Sequence, residues 1–74
     1  MEINYVIILD FTNGCLNIIK LTAEEKEEAY KFDSFEDFLY TLEDKYGFRV
    51  SNCQWIKTET LDIHRYENGG LIEH

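Results

Sequence analysis

The dipeptide Asn13-Gly14 lies between two runs of residues that are rich in Ile, Val, Tyr and Phe. Asn-Gly is the strongest short-range signal for a β-hairpin, because a type I′ turn needs positive φ at both of its central residues. The sequence therefore predicts strands over residues 3–11 and 15–21 that are joined by a two-residue loop.

The predicted hairpin has two apolar faces. A two-residue loop places Thr12 opposite Cys15 and sets the register of every other pair. One face then carries Tyr5, Ile7, Leu9, Phe11, Leu16 and Ile18. The other face carries Val6, Ile8, Ile19 and Leu21. Since a sheet with one wet face alternates more cleanly than this, and since a single helix covers one face, we expect the second set of four to form an exposed interface.

Residues 35–46 have the pattern of a helix that packs on a core. Ser34 is the expected N-cap residue and Gly47 the expected stop signal. Tyr40 falls on the outer side of this helix. The apolar stripe at helical spacing consists of Phe35, Phe38, Leu39, Leu42 and Tyr46.

Residues 22–32 leave two interpretations open. Thr22 and Glu25 have the spacing of a capping box, which favours a short and very acidic helix. The same segment could equally be a loop. If it folds back, Tyr30 and Phe32 would cover the second face of the hairpin.

Two further strands are predicted over residues 48–57 and 60–66, and Trp55 is expected to be mostly buried in the core. The predicted fold is α+β: a small antiparallel sheet of about four strands in the order β-β-α-β-β, with a possible extra acidic helix after the second strand and one main helix on one face. We expect one domain over residues 1–66 and a flexible tail over 67–74.

Composition and sequence pattern also bear on the compartment. Hydrophobic residues make up 45% of the 74 residues, which is typical of a folded globule. The longest apolar run, residues 5–9, is far below the roughly 20 residues that span a bilayer. No signal peptide is recognisable at the start of the sequence. The cytoplasm is the expected compartment, where Cys15 and Cys53 would be free thiols.

The net charge of −8 is concentrated in residues 24–44, which hold nine acids and two lysines and so carry −7. This disfavours direct binding to nucleic acid or to anionic membranes. The segment is either a solvated helix surface or an imitation of the charge of a nucleic acid. The candidate acidic surface comprises Glu24, Glu25, Glu27, Glu28, Asp33, Glu36 and Asp37.

Few residues suggest chemistry. A thiol enzyme would have to use Cys53 or Cys15 with His64, yet neither cysteine begins a helix or lies in a family signature, and both fit small buried hydrophobes. Asp62 and His64 could supply two ligands of a metal site, and two ligands do not hold a metal firmly. The sequence predicts no catalytic residue, no metal and no cofactor.

These patterns together predict a small non-enzymatic module that binds a protein partner or itself, with a homodimer formed through Val6, Ile8, Ile19 and Leu21. The alternative is an acidic inhibitor that mimics nucleic acid and binds a DNA- or RNA-handling protein. An enzyme that uses a thiol is a third and weaker hypothesis.

Overall fold

The fold is α+β, as the sequence predicts. The computed structural model describes the backbone of residues 2–73 and the side chains of residues 2–72. Its elements are β1 (Tyr5–Asp10), β2 (Cys15–Lys20), α1 (Ala23–Ala29), α2 (Phe35–Tyr46), a 3₁₀ turn (Val50–Asn52), β3 (Cys53–Thr58), β4 (Arg65–Glu67) and β5 (Gly70–Glu73).

Three strands form the main sheet in the order β2-β1-β3, and both pairings are antiparallel. The central strand is β1, so that Ile8 has Asn17 on one side and Trp55 on the other. Beyond the strand, the Phe11 N–H donates to the Asn52 carbonyl at 3.0 Å and continues the pairing toward the turn. The two helices lie between β2 and β3 in the sequence.

The register predicted for the β1–β2 hairpin is wrong by two residues. Asp10 pairs with Cys15, and the loop has four residues instead of two. The Asp10 carboxylate explains the difference: its Oδ1 accepts the backbone N–H of Thr12 at 2.9 Å and of Asn13 at 3.3 Å, and its Oδ2 accepts Asn13 Nδ2 at 3.1 Å. Such local side-chain bonds compete with the tighter turn. In this loop only Gly14 has positive φ, at 60°.

A type I′-like loop occurs at the second Asn-Gly dipeptide. Asn68 and Gly69 both have positive φ, 54° and 81°, and Glu67 pairs with Gly70 across a two-residue loop. The fourth strand, predicted over residues 60–66, does not join the main sheet: in the described chain, β4 pairs with β5 instead. Residues 70–73 form a strand within the segment that was predicted to be a tail. The flexibility predicted for residues 67–74 stays a prediction. His74 lies outside the described residues.

Both helices start at the caps that the sequence indicates. Residues 23–29 are helical, so the helical interpretation of that segment is confirmed, and Thr22 and Glu25 form the full capping box. The helix over residues 35–46 is confirmed with its bounds. The Ser34 side chain accepts the N–H of Asp37, and the C-cap Gly47 is left-handed with φ 77°.

The core lies on the face that the sequence analysis expected to be exposed. Val6, Ile8, Ile19 and Leu21 are at most 5% exposed, so they are not available as a surface, and that prediction is corrected. Both faces of the hairpin are apolar, and pattern alone cannot choose between them. The choice follows from the path of the chain, since only Leu21 and Thr22 separate β2 from α1. The core cluster consists of Val6, Ile8, Ile19, Leu21, Phe38, Leu39, Leu42, Phe48 and Val50.

The partly buried residues around this core include both confirmed and corrected predictions. Phe32 packs against the core, as the fold-back interpretation requires, whereas Tyr30 is 82% exposed. Trp55 faces the core side beside Ile8 and packs against the core with part of its surface exposed, so the predicted burial is confirmed. Tyr40 is exposed on the outer side of α2, as predicted.

The β4–β5 hairpin makes the molecule elongated. The Cα radius of gyration is 13.7 Å, against about 11 Å for a compact chain of this length. Within the described residues, β4 and β5 pair with each other and make few contacts with the main sheet or the helices. We refer to residues 63–73 as the C-terminal arm.

Candidate interaction surface

The sheet face opposite the helices is apolar and exposed. Side-chain alternation places Ile7, Leu9, Leu16, Ile18 and Ile56 on this side, which we call the open face. Leu9 is 42% exposed, Leu16 56%, Ile18 39% and Ile56 57%. Large side chains that are contiguous and exposed to this degree mark an interaction site more often than scattered ones do.

The three strands place nine residues on this side of the sheet, and they include no acid. The positions other than the open face are Tyr5, Lys20, Gln54 and Thr58. Lys20 is the one charge among the nine, and it lies at the end of β2. For a chain of net charge −8, a face without acids is a local exception to the overall composition.

A shallow groove runs over part of the open face. Its volume is about 280 Å³. Apolar side chains dominate its lining, which consists of Ile7, Leu9, Leu16, Gln54, Trp55 and Ile56. The groove lies over β1 between the two edge strands, and it is a surface on which an apolar side chain can rest.

The C-terminal arm carries a second set of exposed apolar side chains. Tyr66 is 66% exposed, and Leu71, its partner across the hairpin, is 46% exposed. Ile63 and Ile72 are also exposed, at 41% and 51%. From the sequence, Ile63 and Tyr66 are expected in a strand over residues 60–66 and only residues 67–74 in a tail, so this exposed surface was not predicted. The dipeptide Asn68-Gly69 is the sequence signal that could have identified this hairpin, because Asn-Gly favours a type I′ turn here as it does at Asn13-Gly14.

The acidic residues predicted as a surface divide into two groups. Glu24, Glu27, Glu28, Asp33, Glu36 and Asp37 are exposed on α1, on α2 or between them. Glu25 is only 6% exposed and belongs to the interior. Of the exposed acids, Glu28 pairs with Lys31 at 3.3 Å.

Glu25 joins the two helices through its carboxylate. Oε1 accepts the backbone N–H of Thr22 at 2.9 Å. Oε2 accepts Lys45 Nζ at 2.9 Å and Tyr46 Oη at 2.7 Å. Burial by itself raises the pKa of Glu25, and these hydrogen bonds together outweigh it, so that the pKa is lowered from 4.5. Glu25 is a structural ion-pair residue with no free oxygen to offer a partner.

The two thiols flank Asp10. Cys15 and Cys53 pair with Asp10 from opposite sides of β1. Two strand spacings separate their Cα atoms by about 9–10 Å, which is too far for a disulfide. Burial, followed by the charge of Asp10, raises the pKa of Cys53 above 9.0. A raised pKa keeps Cys53 a thiol at neutral pH, which is the opposite of what a nucleophile needs.

The remaining candidate residues form no larger cluster. His64 Nε2 lies 3.1 Å from Asp62 Oδ2, in the segment between β3 and β4. Among the described side chains, those of residues 2–72, no group of three His, Cys, Asp or Glu residues is arranged to hold a metal ion. In the same range, both helices are too short or too polar to cross a bilayer.

Comparison with known proteins does not assign the chain to a family. No protein-family model, no curated protein sequence and no solved structure matches the chain. The exposed surface is therefore the basis for assigning a function.

Proposed function

We propose that the protein is a non-enzymatic interaction module that self-associates through the open face of its sheet. The observation that carries the proposal is the exposure of Leu9, Leu16, Ile18 and Ile56 on one flat side of the molecule. Two such sheets pack face to face at a distance of about 10 Å, with interdigitating side chains.

The charge pattern favours a second copy as the partner. A two-fold dimer places each surface against itself, so an acidic face would repel its own copy. The nine residues on the side of the open face have Lys20 as their one charge, at the edge, whereas the six exposed members of the candidate acidic surface lie on and between the helices. Burial of the open face therefore removes apolar side chains from water without bringing carboxylates together.

The mass of the chain in solution tests the proposal. We expect sedimentation velocity to give 8.8 kDa at high dilution and twice that mass at higher concentration. The double substitution Leu16→Thr/Ile56→Thr places β-branched residues, which favour strands, at both positions and should weaken the dimer at least tenfold. Tyr40→Thr removes an equally exposed side chain from the helix side and is the matched control. A wild-type chain that stays monomeric at millimolar concentration would refute self-association.

The acidic inhibitor remains the second proposal. Its support is the six exposed members of the candidate acidic surface; Glu25 is excluded because it is buried and its carboxylate is bonded to Lys45. We expect such an inhibitor to capture a basic nucleic-acid-handling protein in a way that weakens steeply with salt. Capture that is lost in Leu16→Thr/Ile56→Thr, and that salt does not affect, would favour the open face instead.

A further inference from the structure

The open face alone is small for a dimer. Its four most exposed side chains are each about half exposed, which is roughly 100 Å² apiece and on the order of 400 Å² per copy. Two copies would remove on the order of 800 Å² of apolar side-chain surface from water, whereas a specific interface removes at least roughly 1,000 Å² in total. A second apolar contact would strengthen such a dimer.

The C-terminal arm has the surface that is missing. Tyr66 and Leu71 lie opposite each other on one side of the hairpin and are 66% and 46% exposed, which by the same measure adds on the order of 200 Å² per copy. An isolated two-stranded hairpin is at best marginally stable in water. Within the described residues this hairpin makes few contacts with the other helices and strands, so a contact with a partner would stabilise it.

The arm also starts beside the open face. It follows β3, which ends at Thr58, two residues after Ile56. Residues 59–64 connect β3 to β4, and six extended residues span at most about 20 Å. The molecule is 44 Å long and 18 Å thick. An arm of this reach can pass the edge of its own sheet and lie on a second copy stacked against the open face.

We infer that the C-terminal arm is an exchanged docking element, which packs its apolar side chains on the second copy at the border of the open face. The inference rests on the proposed self-association and adds the element that gives it sufficient area. In a two-fold dimer each arm lies on the other copy, and the total area removed from water rises to on the order of 1,200 Å², which is within the range of specific interfaces.

Dissociation constants of three variants provide the first test. The arm variant Tyr66→Ser/Leu71→Ser should raise the dimer dissociation constant at least tenfold, and its thermal unfolding at high dilution should match that of the wild type. Tyr40→Ser is the matched control, since it removes an exposed tyrosine from α2. An unchanged dissociation constant in the arm variant, with an intact wild-type dimer, overturns the arm inference and leaves the sheet-face dimer standing.

Mixed dimers provide the second test and locate the arm. A nitroxide is attached to Glu67→Cys at the arm turn, in a chain with Cys15→Ser and Cys53→Ala, and this chain is mixed with ¹⁵N-labelled wild type. We expect paramagnetic broadening of amides around Ile7 and Ile56 in the labelled copy. A dimer without such broadening overturns the arm inference alone. A wild-type chain that is monomeric at every concentration overturns the proposed function itself.

Discussion

Glu25 Oε2 lies 2.9 Å from Lys45 Nζ, so that an ion pair joins the first turn of α1 to the last turn of α2, twenty residues away in the sequence. The Tyr46 hydroxyl donates to the same oxygen, and the Thr22 N–H donates to the other. The Glu25 side chain is 8% exposed, and these bonds compensate for its lost hydration. The contact fixes the angle between two helices that otherwise meet at few residues.

Glu25→Ala should lower the free energy of unfolding by about 1–3 kcal/mol, because it removes the capping box and leaves the hydroxyl of Tyr46 without its acceptor. Glu25→Gln should cost less, since the amide oxygen can still accept from Thr22. Urea unfolding at neutral pH measures both. Glu24→Gln is the control, because its side chain is exposed beside the same helix turn. Equal effects at residues 24 and 25 would contradict the role given to the buried carboxylate.

The same carboxylate should make stability depend on pH. The pKa of Glu25 is lowered in the folded chain from 4.5, so its contribution is full above that value and is lost as the pH falls through the lower folded pKa. The difference in unfolding free energy between wild type and Glu25→Gln should therefore be constant near neutrality and shrink below about pH 4.5. Denaturant unfolding at pH values from neutral to below 4.5 measures whether this difference shrinks or grows on acidification. A difference that grows on acidification would mean that the pKa is raised.

Trp55 provides a third prediction. Its ring lies 5.5 Å from that of Phe35, with an angle of 37° between the planes, and the residue is half-buried. We expect Trp55→Ala to cost about 2–3 kcal/mol, less than the 3–5 kcal/mol of a fully buried ring. Trp55→Phe, which keeps an aromatic contact, should cost less. Native fluorescence should be blue-shifted from that of free tryptophan and partly quenched by acrylamide. Complete protection from acrylamide in the dilute monomer would contradict half-burial.

Signals that are close in sequence made part of this fold predictable. Ser34 and Gly47 bracket the apolar stripe of α2, and Thr22 with Glu25 marks the start of α1; each signal acts within one helix. The signal for the β1–β2 hairpin is also local. Its register, however, is set by the Asp10 side chain, which accepts backbone N–H groups of the loop and so stabilises a four-residue loop over a two-residue one. A carboxylate two residues before a turn amide is a signal that sequence reasoning could have weighed.

The sequence pattern could not predict which face of the sheet is buried. Val6 and Leu9 are equally apolar, and their neighbours on β2 are apolar as well, so the pattern contains no preference for one face. The buried face is decided by the direction in which the chain leaves β2 and by the position of β3 beside β1. Both depend on residues that are distant in the sequence. For this reason the interface residues predicted from the sequence lie in the core, while the open face remains uncovered.

The two Asn-Gly hairpins should respond differently to the same substitution. Gly14 has φ 60° and Gly69 has φ 81°, and an added Cβ meets no atom within 4 Å at either position, so that Val causes backbone strain without a clash. Gly14→Val should lower the free energy of global unfolding by about 1–3 kcal/mol, because the β1–β2 hairpin carries core residues. Gly69→Val should leave global unfolding of the dilute monomer nearly unchanged, since the arm makes few contacts with the main sheet and the helices and is expected to unfold separately.

Hydrogen exchange separates the two outcomes. In Gly69→Val we expect faster exchange of the amides of β4 and β5 while Val6 and Ile8 keep their protection, whereas Gly14→Val should reduce protection throughout the main sheet. Gly14→Asn should be milder than Gly14→Val, because asparagine tolerates positive φ. If Gly69→Val lowers global stability as much as Gly14→Val does, the arm is part of the cooperative core and is not free to dock on a second copy. If Gly14→Val is neutral, the four-residue loop held by Asp10 is not the native turn.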